Sequence, residues 1–94
     1  MTAPPQLTLR LPRLLAQFCD GETALPVAGA DVRAALDDAM GRHPLLRRHL
    51  LDEGDRVREH VHVFLNETDV RQDLAAATRD GDEIYVLQAM SGGR

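Results

Sequence analysis

Ninety-four residues, 44% of them hydrophobic, are one domain's length with enough apolar side chains for a modest core, which excludes a disordered polymer. Aromatics are only Phe18, Phe64 and Tyr85, so Leu, Val, Ile and Ala must fill that core. A formal net charge of -4 argues against a nucleic-acid carrier, which needs a basic surface, and no apolar run is long enough to span a bilayer. In chain order, Met1 to Pro5 is expected to be a loose end. Gln6 to Leu11 alternates, with Leu7, Leu9 and Leu11 on one face and Thr8 and Arg10 on the other, which predicts a half-buried strand. Pro12 interrupts it. Leu14, Leu15 and Phe18 suit a short helical turn, Asp20-Gly21 a chain reversal, and Glu22 to Val27 a second strand paired with the first as a hairpin.

The clearest helix comes next. Asp31 is the expected N-cap, and Val32, Ala35, Leu36, Ala39 and Met40 fall at i, i+3, i+4, i+7 and i+8, one apolar stripe. Gly41 weakens that helix and Pro44 stops it at or before His43. Leu45 to Leu51 suits a second short helix with Arg47 and Arg48 outward. Asp52 to Asp55 is a loop. Val57 to Leu65 predicts the best strand, with Val61, Val63 and Leu65 on one face and His60, His62 and Phe64 on the other. Asn66 to Asp69 is a turn. Val70 to Leu74 is expected to return as a short strand, and Ala75 to Thr78 as one helical turn. Asp80-Gly81-Asp82 is a tight turn. Glu83 to Met90 is the final strand, with Ile84 and Val86 on one face and Tyr85 and Leu87 on the other. This order predicts an α+β fold: a β-grasp, or ubiquitin-like, mixed sheet with one main helix across it and the first and last strands parallel at its centre. The whole chain, 1–94, is expected to be a single domain with flexible ends at 1–5 and 91–94.

Past the last strand comes Ser91-Gly92-Gly93-Arg94. Glycine has no Cβ, so a diglycine tail can thread a narrow channel and present a backbone carboxylate to another protein's active site. While Arg94 is attached, Gly93 carries an amide carbonyl instead. The chain has no lysine, and its formally cationic side chains are all arginine. Coding bias explains that composition, as does avoidance of lysine acceptors in a protein handled by acyl-transfer enzymes.

Three stretches together resemble the ubiquitin-like sulfur carrier proteins, the MoaD/ThiS family, and within it the CysO-like branch. They are Val61-His62-Val63-Phe64-Leu65-Asn66 with Thr68-Asp69-Val70-Arg71, then Arg79 to Leu87, then Ala89-Met90-Ser91-Gly92-Gly93. The chain departs from the pattern at Arg94, which follows the glycine where relatives typically end, and at Gln88, where many have proline. The resemblance implies a carrier rather than an enzyme, with no bound cofactor. An ATP-dependent adenylating enzyme of the ubiquitin-activating type would adenylate Gly93. A sulfur donor would then convert it to a thiocarboxylate, and a biosynthetic enzyme would accept the sulfur. Arg94 would first be removed, as a JAMM-type metalloprotease does for some relatives. The resemblance also implies that Phe64, Tyr85, Leu87, His60 and His62 form the partner interface. Two alternatives are a ubiquitin-like modifier joined through Gly93 to target lysines and a plain interaction module.

Other features carry less. His60 and His62 alternate along a strand, but no cysteine or carboxylate pattern completes a metal site, so none is expected. Cys19 is the only cysteine; no disulfide is expected, which suits a cytoplasmic protein, and no histidine motif makes it a nucleophile. No signal peptide is expected at an N-terminus bearing Pro4 and Pro5. Asp52 to Asp55 lacks the spacing of a calcium loop, and Arg47-Arg48 reads as a solvated helix face.

Overall fold

The computed structural model describes residues 3–88. Strand β1 (Gln6–Arg10) leads through a short helix, α1 (Arg13–Ala16), and a 3-10 turn at Gln17–Cys19 into β2 (Ala24–Ala28). Helix α2 (Val32–Arg42) and the shorter α3 (Pro44–Leu50) come after it, then β3 (Val61–Leu65), β4 (Thr68–Asp69) and β5 (Glu83–Gln88). The strands form one mixed sheet in the order β2-β1-β5-β3-β4. β1 and β5 run parallel at its centre, and every other pairing is antiparallel. This is the expected β-grasp arrangement.

Alternation decides which face is core. Leu7 and Leu9, Leu25 and Val27, Val61 and Val63, and Ile84 and Val86 are all buried, and α2 packs on them with Val32, Ala35, Leu36, Ala39 and Met40. All five residues of the predicted helical stripe are in the core. Gly41 falls inside α2 without ending it; Pro44 occupies the first turn of α3, where its missing N–H costs nothing.

The first turn of α2 is closed by two groups of acceptors. The Asp31 carboxylate accepts from Ala34 N at 2.7 Å, and its carbonyl accepts from Ala35 N at 3.1 Å. Val32 N and Arg33 N donate to the carbonyls of Ala76 and Leu74, at 3.1 and 2.9 Å. The N–H groups of the first three helical residues, which have no acceptor within the helix, therefore all have partners. This arrangement corrects the expected helical turn at Ala75–Thr78. Ala75 closes a turn, and from Ala76 the segment runs past the helix with Ala77 bridged to Asp31, because the carbonyls of Leu74 and Ala76 are given to α2. Buried Thr78 completes the junction, its hydroxyl donating to Gly29 O at 2.5 Å.

Other ends shift by one or two residues, but two boundaries differ more from the sequence reading. The return strand is β4, immediately before Val70, not Val70–Leu74. Asp73 N bonds Val70 O and Ala76 N bonds Asp73 O, so that stretch folds into successive turns. Likewise β3 begins at Val61, not Val57. The Arg71 guanidinium donates to the carbonyls of Val61, Arg58 and Val57, at 2.9, 3.0 and 3.3 Å, and draws the chain into a turn before the strand. Val57 pairs with Leu51 instead.

β2 is an edge strand, and its outer edge is partly occupied. Pro26 lacks an N–H, its carbonyl accepts from Arg42 at 2.6 Å, and Ala28 N donates to Asp38 at 2.9 Å. Both partners come from the solvent side of α2. Among the described residues no helix is long and apolar enough to cross a membrane.

Candidate functional site

The sheet face away from α2 carries the candidate site. On β5 the outward residues are Glu83, Tyr85 and Leu87; on β3 they are His62 and Phe64. Register makes His62 the cross-strand neighbour of Leu87, and Phe64 that of Tyr85. Directly opposed side chains on one face are within contact range. Leu87 is 50% exposed and Tyr85 36%, which is uncommon for large apolar or aromatic side chains in central strands. Phe64 is half-buried. The structure thus places Phe64, Tyr85, Leu87 and His62 on one face. It does not place His60 there. His60 lies in the exposed turn before β3, because Arg71 holds the preceding carbonyls and the strand has not yet begun.

A polar triad borders this face. Arg10 is the parallel partner of Tyr85 on β1. Its Nε donates to Glu83 Oε1 at 2.7 Å, and the Tyr85 hydroxyl donates to the same oxygen at 2.6 Å. The Arg10 hydrogen bond, followed by that of Tyr85, holds the Glu83 carboxyl below its ordinary value of 4.5. The bond to Glu83 in turn pushes the Tyr85 hydroxyl above its ordinary 10.0. Sequence reading singled out neither Arg10 nor Glu83 as a site residue. The available signal was parity: both point outward on strands expected to pair in parallel.

The signs define a pH window. Glu83 has a lowered pKa, so its contribution to stability is present above its unfolded value and is lost as pH falls through the folded one. Tyr85 has a raised pKa, so its contribution is present below its unfolded value and is lost as pH rises through the folded one. The difference in stability between the wild type and Glu83→Gln should therefore be constant near neutrality. It should vanish on acidification below the ordinary glutamate range, as chemical denaturation across a pH series will measure. A difference that persists when Glu83 is protonated would assign the effect to shape rather than charge.

Between β3, the Asn66 turn and β5 lies a shallow groove of about 630 Å³. Phe64, Tyr85 and Leu87 supply its apolar walls, and Glu67 and Glu83 its acidic rim. Asn66 fixes its end. It adopts a φ of 56°, tolerable for asparagine, and its side-chain oxygen accepts from Glu83 N at 3.0 Å while its amide donates to Asp82 at 3.2 Å.

The remaining candidates lie away from this face. Cys19 is buried, and burial raises its thiol pKa, which disfavours the thiolate a nucleophile needs. The Asp52 carboxylate is spent on its own loop, accepting from Gly54 N and Arg56 N, and those bonds lower its pKa. Arg47 and Arg48 are exposed on α3, with Arg47 paired to Asp55. No cluster of three or more His, Cys, Asp or Glu side chains able to hold a metal occurs among the described residues. The expected tail residues Gly92, Gly93 and Arg94 lie outside the described residues, as do Ala89, Met90 and Ser91.

Known proteins share this architecture and sequence. The chain is 28% identical over 91 residues to the sulfur carrier protein CysO of Mycobacterium tuberculosis (strain ATCC 25618 / H37Rv), covering 93% of this chain and 98% of that protein. It superposes on a chain of the Amycolatopsis orientalis BexX/CysO complex with a TM-score of 0.83 and 31% identity, covering 93% of this chain and 99% of that one. SAMP1 from Haloferax volcanii gives a TM-score of 0.82 and 28% identity, covering 94% of this chain and 99% of that one. The ThiS family profile matches residues 12–93, taking in every element from α1 to β5. The sheet order, the exposed outer face and that match lead to one assignment: the chain belongs to the ThiS family.

Proposed function

We propose that this protein is a sulfur carrier, activated at Gly93 by an ATP-dependent adenylating enzyme that docks on the outer face of β3 and β5. The observation that supports it most is that the family match runs through residue 93 and so takes in both glycines. A second support is physical. The strand bearing exposed Tyr85 and Leu87 is the one whose chain continues toward the diglycine, so one partner can read the face and receive the tail.

The chemistry asks little of the carrier. A terminal glycine carboxylate is ionised at pH 7, having a pKa of roughly 3.5. It attacks the α-phosphate of ATP, pyrophosphate leaves, and an acyl-adenylate forms. A sulfur nucleophile then attacks the acyl carbon and AMP leaves, so the oxygen retained by AMP is replaced by sulfur. The partner supplies positioning and charge stabilisation. With Arg94 attached, Gly93 offers a neutral amide carbonyl, a poor nucleophile. Arg94's own carboxylate would stand one residue further out, behind a large cationic side chain. Activation therefore requires removal of Arg94, a task for a protease such as a JAMM-type zinc enzyme.

The test is an intact-mass measurement after incubation with activating enzyme, ATP and sulfide. The form ending at Gly93 should exchange one oxygen for one sulfur, and the form ending at Arg94 should be unchanged. Gly93→Ala in the shorter form should abolish AMP production, because the added Cβ blocks the channel. Sulfur gained by a chain still carrying Arg94 would overturn the processing step.

The likeness to SAMP1, a small archaeal modifier protein by its name, supports a second reading as a protein modifier. Both readings share the adenylate. Covalent adducts with host proteins through Gly93, in place of a free thiocarboxylate, would favour the modifier.

A further inference from the structure

The groove beside Tyr85 has a chemical preference of its own. Glu83 receives both of its side-chain hydrogen bonds on Oε1, from Arg10 and from Tyr85. Among the described residues no group donates to Oε2. The carboxylate is thus held in place by two donors on one oxygen while the other keeps its full acceptor capacity. The aromatic side chains of Phe64 and Tyr85 line the same groove, and ring faces attract cations. Charge on this part of the molecule is unbalanced. Glu67 and Asp69 join Glu83 around Phe64, and Arg10 answers only Glu83. Arg71, the other cation in the neighbourhood, is committed to three backbone carbonyls on the far side of β3.

We propose that the groove seats one basic side chain of the activating enzyme, its cation on Glu83 Oε2 and its aliphatic stem against Phe64, Tyr85 and Leu87. The proposal rests on the docking of that enzyme described above and adds the chemistry it must present there. An apolar patch alone fits many surfaces. A fixed carboxylate within it selects partners with a cation at one position, and penalises those that would bury Glu83 unpaired. Arg10 becomes a positioning residue: it orients Glu83, yet it also competes for the carboxylate's charge.

That dual role gives the test. Binding of the form ending at Gly93 to the enzyme that adenylates it is measured by calorimetry across a salt series, with thermal melts confirming that each variant folds. Glu83→Gln should weaken binding about tenfold at low salt, as loss of a charge-assisted hydrogen bond implies. The deficit should shrink as salt rises. Arg10→Gln, which breaks the same intramolecular ion pair, should bind as tightly as the wild type or more tightly. A purely structural role for the pair predicts equal losses in both variants, and that result would overturn the proposal. So would wild-type affinity in Glu83→Gln when Leu87→Asp still weakens binding, an outcome that leaves docking at this face intact. A wild-type chain that the enzyme neither binds nor adenylates would overturn the carrier reading itself.

Discussion

Gly29→Ala is expected to destabilise the protein by about 3 kcal/mol or more, in the range of severe overpacking. Gly29 is buried between β2 and α2, and a Cβ built there would lie 2.3 Å from Ala35 N, 2.7 Å from Ala34 C and 2.8 Å from Ala35 Cα. Those are helix backbone atoms, so no rotamer relieves the clash. The first turn of α2 cannot simply step aside, because Asp31, Leu74 and Ala76 hold its N–H groups and Thr78 holds the Gly29 carbonyl. For a domain of this size the loss corresponds to a fall in Tm of at least about 12 °C. Gly41→Ala is the matched control. A Cβ there meets nothing within 4 Å, and Gly41 lies inside α2, so stability should rise by about 0.5 to 1 kcal/mol. Thermal melts of the two variants should move in opposite directions. Equal shifts would mean that the close approach of Gly29 to the helix is not what makes glycine necessary.

The second large effect separates two neighbouring residues. Val86 is 0% exposed at the centre of the sheet, and Leu87 is 50% exposed on its outer face. Val86→Asp places an unpaired carboxylate in the core, at a cost of about 4 kcal/mol or more, which consumes most of the stability of a domain this small. Leu87→Asp leaves that charge in water and should change stability by about 0.5 kcal/mol. Under the proposed function its effect is on docking, where it should cost roughly 2 kcal/mol of affinity for an activating enzyme. Denaturant titration measures the first quantity and calorimetric binding the second. A Leu87→Asp chain that unfolds as readily as Val86→Asp would show the face assignment of β5 to be wrong.

The elements legible in the sequence were those written by local periodicity. The alternation of Leu7 and Leu9 and the stripe from Val32 to Met40 report burial directly, and burial follows from pleat and pitch. Phe64, Tyr85, Leu87 and His62 were placed on one face by the same parity. Where the reading failed, a distant group, side chain or backbone, had overridden the local pattern. Val57 shares the parity of Val61, which put the start of the strand there, yet Arg71 captures the carbonyls of Val57 and Arg58 and bends the chain. That misplaced His60. Ala75–Thr78 looked helical by composition, but the carbonyls of Leu74 and Ala76 serve the N-terminus of α2. The link between Arg10 and Glu83 spans 73 positions and needed the parallel pairing of β1 and β5 before it had meaning.

The partly occupied edge of β2 limits how other proteins can approach this one. A sheet edge with open N–H and C=O groups is a template on which a second copy, or an extended peptide, can add a strand. Hydrogen bonds flanking the hairpin at Leu11–Thr23 and Pro5–Gly29 put the backbone groups of Ala24, Pro26 and Ala28 on the outer side. Of these, proline has no donor and α2 has taken one carbonyl and one amide. The opposite edge, β4, is two residues long. Self-association by edge pairing is therefore hindered on one flank and starved of length on the other. A selective partner is left with surfaces that side chains write, and those can diverge between proteins that share one backbone.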